Sequence, residues 1–392
     1  MMMKLSFLSE MSAEPIHGGG VTLKRILRDD LNKFQSFIKV VHYRNEPRIN
    51  SKKYQVFPFG HQAPKFQKII GCTLTAKLFQ SNLLRNRHSC KTVKFLLQNQ
   101  IITNQSKLLV CPQGAFTLYT MNELSKHMQV PYITWMMDDH LLNWNDHRGF
   151  FYKCDHYSLM EQHLKNALKV FVISPQLKDF YQKYFGVECE VLFSPVPAVN
   201  HCRDKQSQKN KNPKLVYFGS ITPWQEDALE VLIPLAQQKL ITLDIFSSHK
   251  FVRDTSLNQH VNFHQPISSE HVIDIMRSYD AVIIPISFKK ELYNMSYFNI
   301  ATKMSECIGS GVPTLLVGPS DSAMIKFLNP YNACVTITSA SQQHVIDAID
   351  TLKDTSKRKQ MLENAHTLVQ EELSENYMAR KWKFAFDALC SL

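Results

Sequence analysis

The sequence predicts an α/β protein built from two Rossmann-like domains. Three observations carry that reading. Short, uniformly apolar runs recur along the 392-residue chain, each followed by a helical segment, as expected of parallel strands buried on both faces. A strand ending in glycine, LVYFG at 215–219, restarts the pattern half-way along, after a stretch at 194–213 that is proline-rich, then polar and basic. The stretch 296–319, SYFNIATKMSECIGSGVPTLLVGP, reads as a loop, a short helix at 300–308, a Gly-Ser-Gly stop and an apolar strand ended by Gly318-Pro319. That is half of a parallel α/β unit.

Composition agrees. A chain of this length accommodates two ordinary domains, and 44% apolar with 20% charged residues allows both to bury a core. No apolar run approaches the length needed to cross a bilayer. The opening MMMKLSFLSEMSAE has little hydrophobic length and an early Glu10, which predicts a first strand and not a signal peptide. Nine scattered cysteines without a Cys-x-x-Cys pair read as reduced thiols of a cytoplasmic protein with no zinc site.

The net charge of +11 is localised. Between Glu46 and Glu123 there is no acidic residue, while Arg48, Lys52, Lys53, Lys65, Lys68, Lys77, Arg85, Arg87, Lys91, Lys94 and Lys107 supply eleven positive charges. Such a patch attracts anionic lipid headgroups, a phosphorylated acceptor or nucleic acid. The aromatic interleaving of a single-strand-binding groove is thin here, so nucleic acid is not expected as a partner.

Taken in order, 4–9 reads as a buried strand, followed by a loop ending in His17-Gly18-Gly19-Gly20 and an amphipathic helix at 21–31. Glycines between a first strand and first helix let backbone N–H groups approach a ligand. Strands follow at 35–42 and 54–59. A basic, largely helical region then runs to about 100, with leucines and valines at helical spacing and lysines and arginines between them; it reads either as a membrane-surface face or as a solvated one. Strands at 107–111 and 131–136 come next, the second leading into Asp138, Asp139 and His140, polar groups at a strand's C-terminal end. Helices at 158–168 and 175–184 alternate with strands at 169–173 and 189–193. In the second half, strands are expected at 214–218, 243–247, 261–263, 281–286 and 314–317, and helices at 226–238, 269–278, 321–328, 342–352, 356–373 and 377–389.

Lys303 and Glu306, three residues apart on a helix beside the sheet, bring a cation and a carboxylate together where open α/β sheets place ligands. A carboxylate there can accept two hydrogen bonds from a vicinal diol such as ribose, and a helix N-terminus with a lysine suits a diphosphate. Lys, two residues, Glu, a small-residue turn, Pro and a strand resembles the nucleotide-sugar site of GT-B glycosyltransferases, in particular glycosyltransferase family 4. The resemblance spans nearly the whole chain through architecture; its specific motifs occupy short stretches.

It implies two domains facing across a cleft, at 1–197 and 214–375, joined by a linker at 198–213, with a helix at 376–392 crossing back onto the first domain. It also implies metal-independent transfer with retention and no cofactor, from a nucleotide-diphosphate sugar to a glycan or lipid-linked acceptor, by an enzyme of surface polysaccharide or glycoconjugate synthesis. An anionic membrane surface would meet the basic region 48–107. Glu306 matches the ribose-binding position, Gly219 the glycine at the start of the second half, and Gly18, Gly19 and Gly20 the loop bordering the cleft. Asp138, Asp139 and His140 fall on the acceptor side. Two departures are visible. Where the family carries an Arg and a Lys after the glycine, this chain has Ile221-Thr222-Pro223-Trp224-Gln225, leaving Lys289, Lys290 and Lys303 as the cations for the diphosphate. Eight positions before Glu306, where a second Glu is common, stands Phe298. These departures keep a catalytically silent binding or scaffold protein open as an alternative, and the shared fold keeps a nucleotide-sugar 2-epimerase open as another.

Overall fold

The computed structural model of the protein describes residues 4–14, 18–41, 54–58, 82–138, 156–196, 212–268 and 270–392. The chain divides into two compact units, residues 1–192 with 379–392, and residues 193–378. Among the described residues each unit carries one parallel sheet.

In unit 1 the strands are β1 (Lys4–Ser9), β2 (Phe34–Val41), β3 (Tyr54–Pro58), β4 (Ser106–Cys111), β5 (Tyr132–Met136), β6 (Lys169–Val172) and β7 (Cys189–Val191), in the order β3-β2-β1-β4-β5-β6-β7. The chain winds one way from β1 and the other way from β4, so the topological switch lies between them. There the register runs from Lys4 opposite Ser106 to Ser9 opposite Cys111. Leu8, Ile38, Leu108 and Val110 on one face pack with Val93, Phe116 and Leu124 of the covering helices. The C-terminal helix, Glu375–Ser391, belongs to this unit from Ala379 onward. Its Trp382 is buried, packs against Phe171 and Phe386, and donates its indole N–H to Asp30 Oδ2 at 3.2 Å.

Unit 2 contains β8 (Lys214–Phe218), β9 (Thr242–Phe246), β10 (Asn262–His264), β11 (Ala281–Pro285), β12 (Thr314–Val317) and β13 (Val335–Ile337), in the order β10-β9-β8-β11-β12-β13. Its switch lies between β8 and β11. Leu215, Leu243, Ile245, Ile283, Leu315 and Ile337 form one buried face, closed by Leu229, Ile233 and Val345 from helices.

Local chemistry sets the helix ends. In Pro175–Phe185, Ser174 accepts from the Leu177 N–H, proline opens the first turn, and Gly186 closes it at φ 64°. Ser322 and Ser341 begin two further helices in the same way.

Several expectations are corrected. Gly18, Gly19 and Gly20 form the first turn of a helix, Gly18–Leu27, and not a loop. A Cβ on Gly20 would lie 1.9 Å from the Glu14 carbonyl oxygen, so the glycine permits that close approach. The helix expected at 300–308 starts at Met304, with Lys303 at its N-cap, and a separate helix, Tyr293–Phe298, precedes it. The helix expected at 226–238 is two short pieces, Glu226–Glu230 and Ile233–Gln237, and 269–278 shortens to Val272–Met276. The helix expected at 356–373 becomes a single π turn after Leu368. Strand β13 and the helix Ala115–Ser125 were not anticipated. Most of the 198–213 linker lies outside the described residues.

Candidate functional site

The site in unit 2 is built where β8 ends. Phe218 is the strand's last residue, and its carbonyl accepts a 2.8 Å hydrogen bond from Lys303 Nζ. Burial pulls the Lys303 pKa down, and the neighbouring charges of Glu306 and the Cys307 thiol oppose that. Glu306 is itself buried, in the first turn of Met304–Gly309. The structure therefore brings Lys303 and Glu306 together, yet Lys303 enters as a brace on β8 and not as a free helical side chain. Cys307, one residue further on, has its thiol pushed up to about 12 by burial and the Glu306 charge.

Beyond Phe218 the backbone turns at Gly219, where φ is 157° and a Cβ would sit 2.5 Å from the Tyr217 hydroxyl. That hydroxyl donates to the Ser220 carbonyl at 2.9 Å, so the tyrosine ring sets the turn and glycine makes room for it. Across the switch, the Ser287 N–H donates to the Trp224 carbonyl, the Phe288 N–H to Asp227 Oδ2 at 2.8 Å, and Ser296 Oγ to the Ser287 carbonyl at 2.9 Å. These bonds fix the loop that carries Lys289, half-buried, and Lys290, exposed. Glu226 Oε1 accepts the Val252 and Arg253 N–H groups, both at 3.1 Å. Directly after residues 221–225, then, stand two carboxylates, Glu226 and Asp227, both engaged with backbone amides.

A feature not read from the sequence lies beside this corner. Phe218, Phe246 and His264 are the last residues of three adjacent strands, and their rings stack at 4.7 Å and 4.5 Å between centroids. Asp244 accepts from Tyr279 Oη at 2.8 Å and from Asn262 Nδ2 at 2.7 Å, and its Oδ2 lies 3.6 Å from His264 Nε2. The row grades from buried Phe218 to exposed His264, presenting an aromatic ledge at the open end of the sheet. Only the strand order brings these three positions together.

In unit 1 the glycine turn and the end of β5 are neighbours. A Cβ on Gly19 would lie 2.7 Å from Met11 Sδ and 3.5 Å from Met137 Sδ, one residue before Asp138. Asp138 is half-buried; Asp139 and His140 lie outside the described residues. Glu10, read from the sequence only as an early acidic residue after the first strand, has a structural part. Its carboxylate fills the switch between β1 and β4, accepting from the Gln113 N–H at 2.8 Å, the Thr117 N–H at 2.7 Å and Thr117 Oγ1 at 2.5 Å. Burial raises its pKa to about 7 against the pull of those bonds.

The basic region is less uniform than its sequence. Arg85 is buried, 5.7 Å from the Phe116 ring centroid and 5.9 Å from that of Tyr119, and Lys107 is buried with Nζ donating to the Cys390 carbonyl at 2.9 Å. Both therefore leave the expected surface face, whereas Arg87, Lys91 and Lys94 stay exposed along Asn82–Gln98. Residues 48–53 and 59–81 of that region, with Arg48, Lys52, Lys53, Lys65, Lys68 and Lys77, lie outside the described residues. No described helix is long and apolar enough to cross a membrane.

No protein-family model matches the chain, and no curated protein sequence does. Solved structures do. Sucrose-phosphate synthase from Thermosynechococcus elongatus superposes with a TM-score of 0.68 at 12% identity, covering 99% of each chain. HepE from Anabaena, solved in complex with UDP and glucose, gives 0.62 at 14% identity over 100% of each chain. The fold is GT-B. TarM, at TM-score 0.64 and 10% identity over 98% of this chain and 99% of its own, is another GT-B match. At such identities the likeness establishes architecture, and the chemistry must be argued from the residues.

Proposed function

We propose that the protein is a glycosyltransferase that uses a nucleotide-diphosphate sugar, of the kind that family 4 comprises. The observation that carries the proposal is the buried Glu306 beside Lys303 at the C-terminal end of β8, the switch point of a GT-B unit. In this reading the Glu306 carboxylate accepts both ribose hydroxyls. The ledge of Phe218, Phe246 and His264 supports the base, and the diphosphate lies against the turn at Gly219-Ser220 with Lys289 and Lys290 balancing its charge. Lys303 holds the end of β8 in place and adds positive potential from behind it.

On the acceptor side, Asp138 and the first turn at Gly18–Gly20 are the groups in unit 1 assigned to orienting a glycan or lipid-linked hydroxyl, together with Asp139 and His140. Transfer is proposed to be metal-independent, of a hexosyl group, and with retention: the departing diphosphate oxygen takes the acceptor proton on the same face of the sugar. The protein then contributes orientation and stabilisation of developing phosphate charge, with no strong base required. Exposed Arg87, Lys91 and Lys94 are the described residues available for an anionic membrane surface. Surface polysaccharide or glycoconjugate synthesis is the setting proposed.

A second reading, a nucleotide-binding protein without transferase activity, is favoured by Glu226 and Asp227 standing next to the segment where the family has its cations. The test is incubation with radiolabelled UDP-glucose and other nucleotide sugars, with and without neutral glycan acceptors. Slow donor hydrolysis or transfer supports the enzyme; nucleotide binding with neither reaction supports the second reading.

A further inference from the structure

A cleft of about 560 Å³ lies in unit 1 between the helices Ala115–Ser125 and His156–Asn166. Its walls include Val130 and Pro131, just before β5, and Leu168, just before β6, so it opens at the N-terminal ends of these strands. Within this unit Asp138, assigned to the acceptor, lies beyond the opposite, C-terminal end of β5. Tyr132 and His163 also line it, their rings stacked at 5.1 Å.

His163 is 5% exposed, and its two nitrogens are treated differently. His163 Nε2 lies 2.8 Å from Thr134 Oγ1 and shares one hydrogen bond with it, whichever of the two donates. Nδ1 is fully buried and, among the described residues, has no hydrogen-bond partner. Burial holds the ring neutral, its pKa pulled down to about 3. A buried imidazole in a helix's core-facing stripe is ordinarily satisfied on both sides. Here one side is not.

The rest of the lining is uncharged. In a chain of net charge +11, none of the residues lining this cleft is Lys, Arg, Asp or Glu. Asn122, Gln129, Gln162 and Asn166 supply carboxamides, each carrying both donors and an acceptor, with Ser125 beside them. Leu118, Met121 and Leu159 supply apolar surface. Neutral walls of this kind do not compensate the charge of a phosphate or nucleotide. They match the alternating hydroxyls and C–H faces of a sugar ring, and the volume lies in the range of small-molecule sites.

We infer that this cleft is a second binding site, for a neutral saccharide, in which the carboxamides bond the sugar hydroxyls and Leu118, Met121 and Leu159 meet the C–H faces of the ring. The site is independent of the nucleotide-sugar reading. Saturation-transfer NMR on the full-length protein tests it, with maltose and methyl β-glucoside as neutral probes and glucose 6-phosphate as the charged one. Transfer to a neutral probe is expected, undiminished by excess UDP and weaker or absent for glucose 6-phosphate. Leu159→Trp, which fills the cleft, should abolish it, and the surface double variant Gln162→Ala/Asn166→Ala should weaken binding roughly tenfold. Absence of transfer to both neutral probes overturns the inference. So does transfer that UDP displaces or that folded Leu159→Trp retains, since either places the sugar elsewhere.

Discussion

Both sheets reverse their winding at one switch point, and the two switch points are filled in opposite ways. In unit 1 the crevice between β1 and β4 holds the protein's own carboxylate: Glu10 takes the amides of Gln113 and Thr117 at the start of Ala115–Ser125. In unit 2 the crevice between β8 and β11 is bordered by Gly219-Ser220, the braced loop at Ser287 and the Lys303–Glu306 pair. The difference teaches where an external anion can go. An internal carboxylate already caps the helix-start amides in unit 1, whereas in unit 2 Asp227 and Glu226 take the amides of Phe288, Val252 and Arg253. Among the described residues no carboxylate bonds the Gly219-Ser220 turn, which lies beside lysines and an aromatic ledge.

The comparison can be broken from either side, beginning with the largest effect. Trp382 anchors the C-terminal helix on unit 1, and Trp382→Ala should destabilise the protein by about 3–5 kcal/mol in urea unfolding. A loss below about 1 kcal/mol would show that the helix does not depend on that anchor.

Glu10 gives a pH signature. Its carboxyl titrates near 7 when folded against about 4.5 in an unperturbed setting, so the folded chain holds an extra proton between these values. The associated stability, about 3 kcal/mol, is present below pH 4.5 and is lost as pH rises through 7. His163 works the other way, at about 3 folded against 6.5, with stability lost as pH falls. The two slopes oppose each other between pH 4.5 and 6.5. Chemical denaturation across that window should show Glu10→Gln losing stability on acidification more steeply than the native protein. Equal slopes would mean that Glu10 is ionised in the folded state, as it is in the unfolded one.

On the unit 2 side, removing a stacked ring should matter to ligand binding more than to folding. Phe246→Ala is expected to weaken nucleotide binding by about 1–2 kcal/mol by calorimetry, while Phe327→Ala, whose ring packs against Phe193 and Tyr331 instead, should not. A smaller effect is expected at the turn. Gly219→Ala puts a Cβ against the Tyr217 hydroxyl and should cost about 1 kcal/mol of stability, partly recovered when Tyr217 is also replaced by Leu. If Gly219→Ala is neutral alone, the turn is not set by that contact.

Most of the strands were legible because strands buried on both faces are continuous apolar runs, as in Leu108–Cys111 and Ala281–Pro285. Val335–Ile337 escaped because three residues interrupted by a threonine make no run. The helix Ala115–Ser125 escaped for a different reason. It is buried from Ala115 through Met121, so it has no polar face to set a helical period. Within the site, Glu306 could be found from local spacing. Lys303's bond to Phe218, the ledge of Phe218, Phe246 and His264, and the cap made by Glu10 all join residues distant in sequence. They depend on strand order, which no local motif encodes.

The central claim is that Glu306 holds the ribose of a nucleotide donor. Calorimetric titration of UDP and other nucleoside diphosphates into the native protein and Glu306→Ala tests it most directly, with circular dichroism to confirm that the variant is folded. One nucleotide class should bind the native protein, and the variant should lose about 1.5–3 kcal/mol of that affinity. Unchanged affinity in a folded Glu306→Ala protein would contradict the assignment and move the nucleotide away from the β8–β11 switch.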